Sequence, residues 1–293
     1  MRHNLCVVFC LNIYFAMKQW MLFFLILISL NSVSYSQGKI KKAEESLKKI
    51  EKTENTISNP NYDDNNNSEG DFLTEVVGGL FFQIFAYSAY GIAFESPFET
   101  EHKGSTAILN KHPYTNTNTG NYSYNWNENS EIFTTTISNH FIFETNKIYG
   151  NHLNANMKFL KRLGLEIDYL QLWEETTNSG NDALAIYTVL AKYQRVRTEH
   201  FNSWWGLGVA YVDGNINELG FTYGLGAEFF FIRPFSLESN FNQTLINDNS
   251  INKFNALLNY HRKQYKFILG YEHLKIGDVG FSNVTGGLGF FFN

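Results

Sequence analysis

The second half of the chain alternates apolar and polar residues with a period of two, which is typical of β-strands that separate two environments. In the clearest segment, 220–232, one face is apolar and consists of Phe221, Tyr223, Leu225, Ala227, Phe229 and Phe231. The other face is small or polar and consists of Thr222, Gly224, Gly226 and Glu228. Ten such segments follow one another, each about as long as a tilted strand that crosses a bilayer: 132–143, 151–160, 163–173, 183–196, 203–212, 220–232, 236–246, 253–262, 265–276 and 283–292.

The links between these segments indicate how the strands are arranged. The odd-numbered links are polar and longer: 144–150, 174–182, 213–219, 247–252 and 277–282. The even-numbered links are mostly tight (161–162, 233–235 and 263–264), and only the fourth, 197–202, is longer. Long loops outside the cell and short turns in the periplasm are typical of outer-membrane barrels, and an even number of strands returns both ends to the periplasm. The pattern predicts an all-β fold, a single antiparallel transmembrane β-barrel of about ten strands with N-terminal helical segments.

The final segment carries a resemblance to a known family. Its apolar face contains Phe290 and Phe292, and its opposite face contains Thr285 and Gly287. These four residues resemble the C-terminal targeting strand of Gram-negative outer-membrane β-barrel proteins, from which the chain departs at Asn293. The resemblance implies that the barrel assembly machinery recognises this strand and that outer-membrane lipid surrounds the protein.

The first 36 residues are predicted to be a cleaved signal peptide. Lys18 precedes the apolar run 21–30, which is too short to span a membrane as a helix, and small residues come before Gln37. Met17 is an alternative start. Both cysteines, Cys6 and Cys10, lie in this part, so the mature chain is expected to have no disulfide and no cysteine metal site.

Two regions lie between the signal peptide and the barrel at 131–293. Region 37–70 is predicted to hold a charged periplasmic helix at 39–57, followed by a polar linker at 59–70. We interpret this helix as solvated and loosely held, with a partner-binding coiled segment as the alternative. Region 71–130 is predicted to hold an apolar helix at 71–94, in the membrane interface or at the barrel mouth, and an irregular connection with one short hairpin. A first strand is the alternative for 71–94.

Composition agrees with a barrel and disfavours one class of function. Aromatic residues make up 17% of the chain while hydrophobic residues make up only 44%, as expected for aromatic girdles around a polar interior. The net charge of −5 provides no basic stripe, so we do not expect a nucleic-acid partner.

Nine titratable side chains are predicted to point into the lumen. A ten-stranded barrel is only slightly wider than an eight-stranded one, whose interior side chains fill. We therefore expect these charges to pair with one another, and the alternative is a narrow channel lined by the same residues. They are Lys158, Glu166, Asp168, Lys192, Glu228, Glu238, His261, Lys266 and Glu272.

No catalytic or metal site, and no cofactor, is predicted. Glu272, His273 and Ser282 combine a carboxylate, an imidazole and a hydroxyl, but Glu272 and His273 point to opposite faces of one strand. Several histidines show no metal-ligand spacing, among them His102, His112, His140, His152 and His200.

The leading function is therefore a non-enzymatic outer-membrane barrel, either structural, binding an unidentified surface ligand through its loops, or forming a narrow channel. The alternatives are a membrane-embedded hydrolase acting on lipid and a soluble, lipocalin-like ligand-binding barrel.

Overall fold

The computed structural model of the 293-residue chain describes residues 38–48, 107–115, 118–145, 147–159, 162–176, 180–247 and 249–293. The predicted signal peptide, the linker at 59–70 and the apolar helix at 71–94 lie outside the described residues. Among the described residues, no helix has the length and apolar content needed to cross a membrane.

The described elements are one short helix, three very short strands and ten long strands. In chain order they are α1 (Lys39–Leu47), β1 (Ile108–Asn110), β2 (Tyr122–Ser123), β3 (Ser130–Glu131), β4 (Phe133–Phe143), β5 (Ile148–Phe159), β6 (Leu163–Thr176), β7 (Gly180–Arg197), β8 (Phe201–Asp213), β9 (Asn217–Ile232), β10 (Phe235–Ile246), β11 (Asn249–Arg262), β12 (Tyr265–Ile276) and β13 (Val279–Phe292).

Strands β4 to β13 form a closed antiparallel barrel in which each strand pairs with its neighbours in sequence. The last strand, β13, closes the barrel on β4, with Val284 opposite Phe143 and Phe292 opposite Thr135. The predicted fold of ten antiparallel barrel strands is confirmed. Each predicted segment overlaps one strand, and the bounds of β12 coincide with the segment 265–276.

The outer surface of the barrel is apolar. In β9 the outward residues Leu219, Phe221, Phe229 and Phe231 are 66%, 50%, 47% and 48% exposed. Between them, inward Thr222 is completely buried. Twelve residue steps separate Leu219 from Phe231, and at ~3.3 Å per step and a tilt of ~40° the apolar face is about 30 Å high, similar to the hydrocarbon core of a bilayer.

Both rims of the barrel consist of short links, contrary to prediction. The strand bounds leave only 144–147, 177–179, 214–216, 247–248 and 277–278 for the odd-numbered links. They leave 160–162, 198–200, 233–234 and 263–264 for the even-numbered links. The predicted difference in length is wrong because the predicted loop residues continue the strand ladder; for example, Glu174 pairs with Asp182 and His273 pairs with Ser282. We call the end with the odd-numbered links the upper mouth and the other end the lower mouth.

Helix α1 closes the upper mouth. Its apolar residues Ile40, Ala43 and Leu47 are completely buried and pack against inward-facing side chains of the barrel. The predicted helix is thus confirmed over Lys39–Leu47, but its interpretation as solvated and loosely held is wrong. The apolar residues Ile40, Ala43 and Leu47 recur at helical spacing because this face of the helix docks in the barrel.

Polar contacts fix α1 to the upper end of β6 and to the link between β8 and β9. The Glu174 carboxylate accepts hydrogen bonds from the backbone N–H groups of Lys39 (3.0 Å) and Ile40 (2.8 Å), so a barrel side chain caps the helix N-terminus. The Glu44 carboxylate accepts from the backbone N–H and the side-chain amide of Asn215, at 2.7 and 2.6 Å. These contacts satisfy groups that burial would otherwise leave unpaired.

Residues 107–115 and 118–131 cover the lower mouth. Strands β1, β2 and β3 form a small sheet in the order β2-β1-β3, where the sequence predicts a single short hairpin. The Tyr114 hydroxyl donates to the Phe235 carbonyl (2.6 Å), and the Asn121 side-chain amide donates to Glu228 (2.8 Å). Both mouths are therefore covered by segments of the chain itself.

Candidate functional site

The lumen below α1 begins with an apolar layer. It consists of inward residues near the upper ends of the strands, all of them buried: Ile142, Ile148, Leu170, Leu172, Leu184, Ile186, Ala210, Val212, Ile246, Ile251, Leu274, Ile276 and Phe281. This apolar layer and the buried face of α1 form one hydrophobic core inside the barrel. The apolar layer differs from the sequence prediction, in which the whole inward face is polar.

The middle of the lumen is a polar layer that contains most of the predicted lumen charges. Six of the nine predicted residues border a polar cavity of about 60 Å³: Lys158, Glu166, Asp168, Glu228, Glu238 and Lys266. Of the other three, Lys192 lies beside Glu166, Glu272 lies between two histidines, and His261 lies near Ser236 towards the lower mouth.

Charges of opposite sign pair inside the polar layer. The Lys192 ammonium donates to Glu166 at 2.7 Å and lies 3.6 Å from the centre of the Trp204 ring. The Lys266 ammonium donates to Glu238 at 3.2 Å. Such pairs offset the cost of placing charge in a medium of low dielectric constant.

Lys253 is a lumen charge that the prediction omitted. It forms an ion pair with Asp168 and is buried. The signal was present in the sequence, because Lys253 lies at the same alternating position as His261 in the predicted segment 253–262.

Two histidines and two carboxylates form a continuous cluster directly below the apolar layer. His140 in β4 lies opposite His152 in β5, and His140 Nε2 is 3.0 Å from His152 Nδ1. Glu272 reaches both rings from β12: its carboxylate oxygens lie 2.5 Å from His140 Nε2 and 3.0 Å from His152 Nδ1. On the other side of its ring, His152 Nε2 lies 2.5 Å from Asp168. We call His140, His152 and Glu272 the imidazole–carboxylate cluster.

The strand register explains why sequence spacing does not reveal this cluster. His140 and His152 are 12 residues apart, and Glu272 is 120 residues further from His152. Gly287 lies opposite His140 on the intervening strand β13. A side chain at Gly287 would collide with His140, so this glycine leaves the space through which Glu272 meets the histidines.

His273 and Glu272 point to opposite faces of β12, as predicted. Glu272 is buried in the lumen, whereas His273 is on the outer surface, where its Nδ1 lies 3.1 Å from Ser282 Oγ. The Tyr271 hydroxyl donates to the same Ser282 oxygen at 3.1 Å. Glu144 accepts from the Ser282 backbone N–H (3.0 Å) and from Lys39 (2.5 Å). A hydroxyl and an imidazole thus meet on the outer face, which the sequence did not predict.

The four residues of the predicted assembly signal divide between the two faces of β13. Thr285 and Gly287 face the lumen, and the Thr285 hydroxyl donates to the Phe141 carbonyl at 3.0 Å. Phe290 and Phe292 lie on the outer face with ring centroids 4.4 Å apart. All four therefore lie on the strand that closes the barrel.

Comparisons with known proteins give structural likenesses only. No protein-family model and no curated protein matches the chain. The Yersinia pestis outer membrane protein Ail is 16% identical, with 54% of this chain and 99% of that chain covered and a TM-score of 0.32. The N-terminal β-barrel domain of Pseudomonas aeruginosa OprF is 13% identical, with 54% and 97% covered and a TM-score of 0.28. An outer membrane channel from Pseudomonas putida is 8% identical, with 55% and 95% covered and a TM-score of 0.33. Likenesses this weak carry no conclusion about function.

Proposed function

We propose that the protein is a non-enzymatic outer-membrane β-barrel with a closed lumen, serving a structural role rather than conducting solutes. The observation that carries the proposal is that both ends of the lumen are covered and its middle is narrow. Helix α1 and the apolar layer fill the upper mouth, paired charges line a cavity of about 60 Å³ in the middle, and residues 107–115 and 118–131 cover the lower mouth.

Residence in the outer membrane is supported by the surface of the barrel. Its outward face is apolar over about 30 Å, which matches a bilayer core. Aromatic side chains also lie on this face: Tyr169, Tyr187 and Tyr211 form a row of tilted rings across β6, β7 and β8, and Tyr193 packs on Trp205 towards the lower mouth. A soluble, lipocalin-like barrel would expose this surface to water, which disfavours that alternative.

Assembly by the barrel assembly machinery is part of the proposal. Thr285, Gly287, Phe290 and Phe292 would be recognised in the last strand before the barrel closes. Outer-membrane lipid would then surround the apolar face.

A channel is disfavoured by the size of the polar cavity. Its volume of about 60 Å³ has room for only a few water molecules, because a cavity needs at least ~10–15 Å³ of such space to hold one. A conducting pore needs a continuous water path, which α1 and the apolar layer interrupt.

Planar-bilayer conductance tests the closed lumen. The wild-type chain, shown by its mobility on unboiled gels to be a folded barrel in the same liposomes, should give no discrete current steps. Reproducible ion-selective steps from the wild type would contradict the closed lumen and favour the narrow channel.

The contacts of α1 with the upper links also indicate on which side of the membrane this helix lies. With both ends of an even-stranded barrel in the periplasm, the upper mouth faces the cell exterior. Because α1 contacts the upper links, we propose that it lies with them on the outer side of the membrane rather than in the periplasm. A thiol introduced by Lys42→Cys, at an exposed position of α1, should react with a membrane-impermeant maleimide on intact cells. Labelling only after cell lysis would put the upper mouth in the periplasm.

A second candidate function is lipid hydrolysis at the outer face. It rests on the contact between Ser282 Oγ and His273 Nδ1, a nucleophile and a base within hydrogen-bonding distance on a surface that would meet lipid. Turnover of labelled phospholipid that Ser282→Ala abolishes, and that the outward-facing control Ser239→Ala retains, would support it. No turnover by folded wild-type protein would exclude it.

A further inference from the structure

The three donor atoms of the imidazole–carboxylate cluster converge on one point. His140 Nε2, His152 Nδ1 and a Glu272 oxygen lie pairwise 2.5 to 3.2 Å apart. Ligands bound cis to one another at ~2.1 Å from a metal lie about 3.0 Å apart in an octahedral site and about 3.4 Å apart in a tetrahedral one. To bind a cation between its three atoms, the cluster needs its shortest contact, 2.5 Å between Glu272 and His140, to widen by about 0.5 Å for an octahedral site and about 0.9 Å for a tetrahedral one.

The alternative to a metal in this cluster is a second proton on His152. If His152 Nε2–H donates to Asp168 and the ring is neutral, the lone pair on its Nδ1 faces an oxygen of Glu272. With a second proton, His152 Nδ1–H donates to one Glu272 oxygen while His140 Nε2–H donates to the other, which leaves a buried imidazolium between two carboxylates. A divalent cation takes the place of that second proton, because all three atoms can present lone pairs to it.

Glu272 also differs from its neighbours in its charge partners. Glu166, Asp168 and Glu238 each pair with a lysine. Among the described residues, the ion-pair partners of Glu272 are the two histidines alone. A buried carboxylate needs a positive partner, and a bound cation supplies one without requiring either imidazole to be protonated.

A supporting residue holds His152 in the tautomer that a metal requires. Asp168 accepts from His152 Nε2 at 2.5 Å, which leaves the lone pair on Nδ1 for a ligand. Asp168 is itself fixed by Lys253 and by the side-chain amide of Asn154, at 3.2 Å. A carboxylate behind a metal-ligating histidine is a recurrent arrangement that orients the ring and raises its basicity.

The surroundings allow a fourth ligand. His140 and His152 border the polar cavity of about 60 Å³, which has room for water on a bound metal. His140 Nδ1 is buried and has no hydrogen-bond partner among the described residues, although a buried ring nitrogen normally has one.

We propose that His140, His152 and Glu272 bind a divalent first-row transition-metal ion, with Zn²⁺ as the ion to test first and Asp168 as the residue that orients His152. The ligands come from β4 and β5 at the start of the barrel and from β12 near its end, with β13 between them. The metal therefore links the two ends of the barrel across the seam where β13 pairs with β4. This structural role is independent of the proposed membrane function, which stands if no metal binds.

The test uses the full chain, folded in detergent, stripped with EDTA and carrying no histidine tag. Zn²⁺ binding is measured by calorimetry and by metal content after gel filtration. We expect about one Zn²⁺ per chain, an affinity at least hundredfold weaker in His140→Gln and in Glu272→Gln, and one 10–100-fold weaker in Asp168→Asn. His261→Gln, at another buried histidine of the lumen, is the matched control and should bind Zn²⁺ as the wild type does.

Absence of Zn²⁺ binding by folded wild-type chain, or equal affinity in Glu272→Gln and the wild type, would overturn the proposal. If the ligand variants do not fold, X-ray absorption at the zinc edge of the wild-type protein decides. Two imidazoles with oxygen ligands are expected, and a shell of oxygen alone or of three imidazoles would contradict the assignment.

Discussion

Docking of α1 in the upper mouth can be tested with the substitution Leu47→Ala. Leu47 is completely buried, together with Ile40 and Ala43, in the core that α1 forms with the apolar layer. Truncating a buried leucine to alanine costs about 2–5 kcal/mol. Since Leu47 makes its contacts only when α1 is docked, this cost lowers the stability of the docked helix. At ~1.4 kcal/mol per factor of ten, the undocked fraction should rise about 30- to 4,000-fold.

The rate at which an introduced thiol reacts reports this undocked fraction. In a chain with Cys6→Ser and Cys10→Ser, the substitution Ala43→Cys places the sole thiol on the buried face of α1. Maleimide reaches this thiol only when the helix undocks, so the labelling rate follows the local opening equilibrium. Leu47→Ala should raise the rate by at least about 30-fold, whereas Lys42→Ala at an exposed position should change it by about twofold at most.

Two results would refute the docking of α1 in the barrel. If the Ala43→Cys thiol reacts as fast as a thiol placed by Lys42→Cys on the exposed face, α1 does not occupy the barrel. If Leu47→Ala leaves the rate unchanged, the buried apolar contacts do not hold the helix.

Three further predictions concern the lumen, the closing strand and the lower mouth. Lys192→Ala should destabilise the barrel by about 3–5 kcal/mol in chemical unfolding, because it leaves the Glu166 carboxylate buried without its ammonium partner; an effect under about 1 kcal/mol would mean that water screens the pair. Gly287→Ala should lower the yield of folded barrel on unboiled gels, because the new methyl group collides with backbone atoms of β4, whereas Gly286→Ala, where the nearest atom is 3.9 Å away, should fold normally; equal yields would contradict the close approach of β13 and β4. Burial, reinforced by a nearby carboxylate, raises the pKa of Tyr114 to about 12. The folded pKa lies above the unfolded value of ~10, so the stabilisation is complete below about pH 10 and is lost as the pH rises towards 12. Wild-type stability should therefore fall towards that of Tyr114→Phe over this interval, and parallel curves would show that the hydroxyl is not buried.

Strand alternation predicts most of the fold because it records directly which side chains face lipid and which face the lumen. It places all ten barrel strands, and the outward residues of β9 and β13 are those that the period indicates. It fails at the strand ends, since polarity alone cannot distinguish a loop from a strand that continues beyond the bilayer. Glu174 and Asp182 illustrate this error, because they form a paired rung of β6 and β7.

The docking of α1 had a partial signal in the sequence. Segment 169–173 reads Tyr-Leu-Gln-Leu-Trp, so apolar residues occur on both strand faces and Gln171 is the one polar residue among them. Leu170 and Leu172 face inward and meet the helix core, so such two-sided runs mark the level at which a barrel encloses a plug. Which segment forms the plug depends on long-range contacts that local periodicity does not encode.

The imidazole–carboxylate cluster could not be predicted from spacing. Its formation depends on two strand registers, His140 opposite His152 and Gly287 opposite His140, and a shift of one residue would turn either histidine to the outer face. The alternation identifies which side chains face the lumen. Only the strand register decides which of these side chains contact one another.

Fractionation of the outer membrane, followed by gel mobility of boiled and unboiled samples, tests most directly whether this chain is a closed membrane barrel. The structure predicts that the chain is found in the outer-membrane fraction and that its mobility changes on boiling, because the closed strand ladder from β4 to β13 persists in detergent until heated. A soluble periplasmic chain with the same mobility before and after boiling would contradict the central claim, and the outward apolar surface would then need another partner.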